Sequence, residues 1–180
     1  MDLNDESPFL ATLRAVKGNV PQHVKDNVIE LYRGATQGQR FLMSITRRLE
    51  AIESNIYSRP EEPSKKEVKM VFEIDVTEDM CHFGNSVHGG CVASLVDFCS
   101  SVTLSILAAQ TAPIHTMQLS LMLTTTYHAP APFGCRLKIV SSTVALGGRV
   151  GTARVEIYDK TNGRIVASGS HVKMPPAPRM

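Results

Sequence analysis

Apolar and polar residues alternate from Val68 onward. Val68, Met70, Phe72, Ile74 and Val76 fall on one side, with Lys69, Glu73, Asp75 and Thr77 between them, the period of a half-buried strand. The alternation then stops. From Gly89 to about Ala109 the chain is apolar nearly all round, which predicts a long helix that other elements must enclose. Four more strands are predicted after it. Between His115 and Tyr127, Met117, Leu119, Leu121 and Leu123 share one face, and Ser120, Met122 and Thr124 the other. Ala129 to Pro132 breaks the chain before a strand at about Gly134 to Leu146. Gly147-Gly148 turns that strand into Val150 to Tyr158, and Asn162-Gly163 is a hairpin signal ahead of Ile165 to Met174.

Before Val68 the pattern is helical. Pro21 suits the first turn of a helix running to about Arg33. Phe41, Ile45, Leu49, Ile52 and Ile56 have the spacing of one helical face, predicting a second helix from about Gln37 to Tyr57. Ser58 to Lys66 is a charged, proline-containing connector. The expected organisation is an N-terminal helical extension and linker over residues 1–65, then a main domain over 66–180. One strand, one buried helix and four strands joined by short turns predict an α+β fold. Its antiparallel sheet would wrap around one long central helix.

Composition narrows the possible partners. The 180 residues suffice for one real core, and a formal charge of +2 without a Lys/Arg run gives no reason to expect nucleic acid. Cys81, Cys91, Cys99 and Cys135 have no metal-ligand spacing, so they read as reduced thiols and no metal is expected. Gly89 to Gln110 is long enough to raise the question of a membrane span. Asp97 and several Ser/Thr residues interrupt it, and an Asp at a membrane helix centre costs about 3 kcal/mol. No integral membrane segment is expected. The polar, acidic residues Met1 to Glu6 resemble neither a secretory nor a mitochondrial leader. An intracellular location follows, cytoplasmic in preference to mitochondrial.

The segment with chemical content is Cys81-His82-Phe83-Gly84-Asn85-Ser86-Val87-His88-Gly89-Gly90, with Asp97 nine residues after His88. A helix start presents unpaired amides and the positive dipole end, and glycine lets a carbonyl approach closely. The Gly89 amide is thus a candidate oxyanion donor. Asp97 is the only carboxylate from Gly89 to Gln110. A carboxylate in such surroundings needs partners or a purpose; it would serve as a base activating water or as a nucleophile. Basic groups for an anionic ligand are Arg149 beside Gly148, and Arg164 and Lys173 at the last hairpin.

His88-Gly89-Gly90 followed by Asp97, in this order of elements, resembles the phenylacetyl-CoA thioesterase-type (PaaI-type) branch of hotdog-fold acyl-CoA thioesterases. The likeness covers roughly Val68 to Lys173. It implies a hotdog fold and hydrolysis of a fatty-acyl or aryl-acyl coenzyme A to free acid and coenzyme A, with no cofactor beyond the coenzyme A of the substrate. It further implies Gly89 as oxyanion donor, His88 orienting that site, and Asp97 as general base or nucleophile. Counting back from Thr126-Tyr127-His128-Ala129-Pro130, it makes Ser120 the hydroxyl that holds the attacking water. Asn85, Gly90, Gly148, Arg149, Arg164 and Lys173 become candidates for substrate and coenzyme A contacts. The branch builds its sites between subunits, so a homodimer within a homotetramer is expected.

One departure stands out. The branch usually has Asn six residues before the His, where this chain has His82. A neutral imidazole can donate one hydrogen bond and accept another, so His82 is carried as a site residue. Two alternatives stay open. One is a hotdog module that binds acyl-CoA without turnover. The other is a β-hydroxyacyl thioester dehydratase using His82 and Asp97, although Gly84 replaces the Pro of that family's His-Phe-Pro.

Overall fold

The computed structural model describes residues 7–33, 41–115 and 117–174. The chain opens with α1 (Pro8–Ala15), α2 (Gln22–Arg33) and a single turn, α3 (Met43–Thr46). Six strands follow: β1 (Glu50–Ser58), β2 (Lys66–Asp75), β3 (Leu119–Tyr127), β4 (Arg136–Leu146), β5 (Gly151–Asp159) and β6 (Arg164–Met174). The long helix α4 (Gly89–Ala108) lies between β2 and β3 in the chain. The strands form one antiparallel sheet in the order β1-β2-β4-β5-β6-β3.

The sheet curls around α4, which touches β2, β3, β4, β5 and β6. Leu95, Val96, Cys99, Val102, Leu104 and Ile106 of the helix are fully enclosed. The helix is long and apolar enough to cross a membrane, but two-thirds of its most apolar stretch is buried inside the protein. All four cysteines are free thiols, and Cys91, Cys99 and Cys135 are buried in the core.

The expected helix from Gln37 to Tyr57 is corrected. Residues 37–40 lie outside the described residues, only Met43–Thr46 is helical, and Glu50–Ser58 is an edge strand paired with β2. Residues 59–65 therefore join two neighbouring strands of one sheet. A bulge between Ala51 and Glu53 explains the misreading. It separates the buried Ala51 and Ser54 by three residues instead of two, so an inward face acquires near-helical spacing. Phe41, counted on the supposed apolar face, is largely exposed.

The other edge of β1 is partly closed by the chain's own N-terminal region. The Ser54 amide donates to the Lys17 carbonyl, and Lys17 forms a parallel bridge with Glu53. Asn19 bonds both Asn55 and the backbone of Ile56. The two N-terminal helices cover α4. Phe9, Tyr32 and Phe98 meet edge to face with ring centres 5.1 to 6.4 Å apart. The Asn27 amide pairs with the backbone of Ile114 just beyond α4, fastening α2 there.

Candidate active site

His88 caps α4 with its side chain. Its Nδ1 accepts the Gly90 amide at 2.9 Å, and its carbonyl accepts the Cys91 amide at 2.9 Å. The His88 amide itself donates to Met80. Of the four amides that a helix start leaves without an intrahelical partner, three are taken. The Gly89 amide has no partner among the described residues. The Tyr127 hydroxyl donates to the Gly89 carbonyl at 2.9 Å, holding that peptide in place. Gly90, expected at the substrate, has its amide spent on the cap.

The loop before the helix is a tight turn. His82 Nδ1 accepts the Gly84 amide at 2.8 Å, and Nε2 lies 2.9 Å from the Ser86 hydroxyl. Both nitrogens of a neutral imidazole are thus used inside the loop. Asn85 sits at its tip with φ 57°, a left-handed conformation that Asn tolerates. Its exposed side chain makes no hydrogen bond among the described residues.

Asp97 lies near the middle of α4, where the helix comes close to β6. Gly169 permits the approach, because a Cβ there would fall 2.7 Å from Val96 Cγ1 and 2.7 Å from the Thr124 carbonyl oxygen. Around Asp97 the structure gathers residues from β6 and β3. Asp97 Oδ1 is 3.5 Å from His171 Nε2 and 3.8 Å from Lys173 Nζ. Both distances are long for a hydrogen bond, and this oxygen is buried with no hydrogen-bond partner among the described residues. The rest of the side chain is half exposed and borders a pocket of about 210 Å³, lined by Ala93, Ser94, Asp97, Ser120 and Leu123.

Ser120 reaches this site through a second bulge, between Ser120 and Met122. Simple alternation puts Ser120 on the face opposite Leu123. The extra residue makes Ser120 pair with Lys173 while Leu123 pairs with His171. Directly paired residues share a face, so the bulge turns the serine toward the helix. The Ser120 hydroxyl is then 2.9 Å from His171 Nε2 and 3.3 Å from Lys173 Nζ.

Lys173, carried as a candidate coenzyme A contact, is a buried cation. It is 6% exposed, and its ammonium donates to the Ser101 hydroxyl at 2.8 Å. Burial pushes its pKa down, and the Asp97 charge works against that. His171 was missed in the sequence. It is fully buried, with Nδ1 2.6 Å from the Ser100 hydroxyl. Burial first, then the Lys173 charge, lowers its pKa to about 4, with Asp97 opposing. The available signal was the alternation Ala167, Gly169, His171, Lys173, which puts two ionisable residues on the face of two residues small enough to admit a helix.

Arg149 and Gly148 lie exposed in the β4–β5 turn. The Gly151 that follows pairs with Lys173, so this turn stands at the Asp97 end of the sheet. Arg164 does not. It begins β6, nine residues before Lys173, or about 30 Å along the strand, and bonds the Pro130 carbonyl and Asp159.

A helix wrapped by a six-stranded antiparallel sheet defines the hotdog class, and comparison with known proteins agrees. The Thioesterase superfamily matches residues 84–166. Mouse acyl-coenzyme A thioesterase 13 is 30% identical over 105 residues, 58% of this chain and 71% of that protein. Zebra fish thioesterase superfamily member 2 has a TM-score of 0.63 at 24% identity, covering 82% of this chain and 94% of that one. E. coli PaaI, from the phenylacetic acid degradation operon, has a TM-score of 0.61 at 14% identity, covering 84% and 95%. These two structures speak to the fold alone. The chain belongs to the thioesterase superfamily and is a thioester hydrolase.

Proposed function

We propose that this protein hydrolyses a fatty-acyl or aryl-acyl coenzyme A to the free acid and coenzyme A, at sites shared between two copies of the chain and without a cofactor. The observation that carries the reading is the amide of Gly89, unpartnered among the described residues and facing out of a helix start whose other amides are taken. A thioester carbonyl bound there is polarised, and the oxyanion formed on attack gains a hydrogen bond and the helix dipole.

In this reading Asp97 is the general base. Its carboxylate takes a proton from water as the water oxygen bonds to the thioester carbon. The tetrahedral oxyanion then collapses, the carbon–sulfur bond breaks, and the departing thiolate receives that proton. Arg149, at the same end of the sheet, offers a cation to the coenzyme A phosphates.

The need for two copies follows from helix geometry. Eight residues separate Gly89 from Asp97, about 12 Å along the axis at 1.5 Å per residue. One thioester cannot contact both in one chain. A second copy supplies the missing half when the β3 edges pair. That edge exposes Leu119, Leu121, Met122 and Tyr127, each more than half accessible, more apolar surface than a solvated edge strand usually shows. The homodimer formed this way assembles further into a homotetramer.

The dehydratase alternative needs a His82 imidazole free to exchange protons with substrate, whereas both its nitrogens are bonded inside the loop. The deciding experiment is thiol release from a panel of acyl- and aryl-coenzyme A esters by the wild type and Asp97→Asn. Turnover that falls by about 10²- to 10⁴-fold in a folded variant supports the reading. Tight binding of these esters with no turnover by the wild type would leave the binding module in its place.

A further inference from the structure

We infer that His171 is a positioning residue, a buried neutral imidazole that commits the Ser120 hydroxyl proton to itself and so presents the Ser120 oxygen to the attacking water as an acceptor. The inference rests on the reading of Asp97 as the base.

The tautomer is set from the far side of the ring. The Ser100 hydroxyl lies 2.6 Å from the Val96 carbonyl and 3.0 Å from the Asp97 carbonyl, both one turn back on α4. A carbonyl only accepts, so the single Ser100 proton goes to the backbone, leaving an oxygen lone pair toward His171 Nδ1 at 2.6 Å. Nδ1 must therefore carry hydrogen. In a neutral ring Nε2 is then bare, and the hydroxyl 2.9 Å away, that of Ser120, donates to it.

The neutral state fits the surroundings. The imidazole is fully buried, and the charged groups facing it are Lys173, which opposes a second proton, and Asp97, which favours one. A bare Nε2 also accounts for Asp97 Oδ1. The two atoms are 3.5 Å apart with no proton between them, so that oxygen stays unpartnered and buried. A water beside Asp97 and Ser120 then meets two acceptors. One hydrogen goes to the carboxylate and the other to Ser120, which turns an oxygen lone pair toward the thioester carbon. Lys173 completes the arrangement by donating to Ser120 at 3.3 Å.

Two measurements test this. The first is nitrogen NMR of histidine-labelled wild-type protein near neutral pH, which needs no turnover. His171 is expected to show a protonated Nδ1 and a bare Nε2; a protonated Nε2 overturns the proposal. The second is a double-mutant cycle on kcat. His171→Gln, whose amide does not enforce an acceptor, is expected to lower kcat about tenfold with KM unchanged, the effect of losing one well-placed hydrogen bond. In a Ser120→Ala background the same change is expected to cost almost nothing further. Losses that multiply would show that His171 acts through something other than Ser120. Failure of the parent reading looks different, since the wild type itself would then release no thiol.

Discussion

The free amide of Gly89 and the carboxylate of Asp97 stand on the same helix, just over two turns apart. Neither can be moved toward the other without unwinding α4. Chemistry that needs both must borrow one of them from a neighbouring molecule, and this gives a direct test.

Gly89 is the first helical residue, the one position where proline suits a helix, and the extended His88 before it has the backbone that a following proline prefers. Gly89→Pro thus deletes one N–H and little else. It is expected to fold normally and lose about 10²- to 10³-fold in kcat. Asp97→Asn removes the other half. When the two inactive variants are unfolded together and refolded as a mixture, half of the dimers combine them and each holds one intact site. Activity should return to about a quarter of the wild type, as expected for a two-fold symmetric shared site. A mixture as inactive as its parts would mean that each chain works alone.

Lys173 tests the division between binding and chemistry. An ammonium beside Asp97 and Ser120 contributes to the reacting centre, whereas one at the mouth would hold phosphate. Lys173→Met is expected to lower kcat about tenfold or more, losing a charged hydrogen bond, with KM for the coenzyme A ester nearly unchanged. A large rise in KM that added salt mimics in the wild type would restore the phosphate role.

His171 makes stability depend on pH in a definite direction. The folded chain holds its pKa near 4, against an ordinary value of 6.5. Unfolding frees the ring to take up a proton. Between those values the unfolded state therefore binds more protons, and stability falls as pH falls through the window. The urea midpoint of the wild type should drop from pH 7 to pH 4.5 by more than that of His171→Gln. Equal drops would mean that His171 is charged or solvated in the folded protein.

The N-terminal helices are held to α4 by aromatic packing. Phe9 is fully buried between Tyr32 and Phe98, so Phe9→Ala is expected to cost about 3–5 kcal/mol in urea unfolding. A cost under about 1 kcal/mol would show that this layer adds little to the fold.

Much of this molecule is legible in its residues. The alternation of β2, the apolar run of α4 and the turn glycines announce their elements, because burial imposes a period wherever the chain is regular. Asp97 declares itself as a charge amid Leu95, Val96, Phe98 and Cys99. What resists reading is irregular. The bulge in β1 gives an edge strand the spacing of a helix, and the bulge in β3 turns Ser120 to the side its neighbours deny it. A bulge depends on the partner strand, which a local window does not contain. Lys173 was misplaced for a related reason: a lysine at a strand end looks solvated until the helix packed over it is known.

The two edges of the sheet have different futures. Along β1 the chain's own Lys17 to Asn19 occupies backbone and side-chain groups from Glu53 to Ile56, while β3 is left open. A sheet with one blocked end and one sticky end behaves like a monomer of valence one. Paired through β3 as proposed, the sheet gains one twin and stops extending, since the joined sheet presents only blocked ends and any further assembly uses other faces. Growth into a fibre, the standing hazard of an apolar edge strand, is halted by about three residues laid across the opposite side of the molecule.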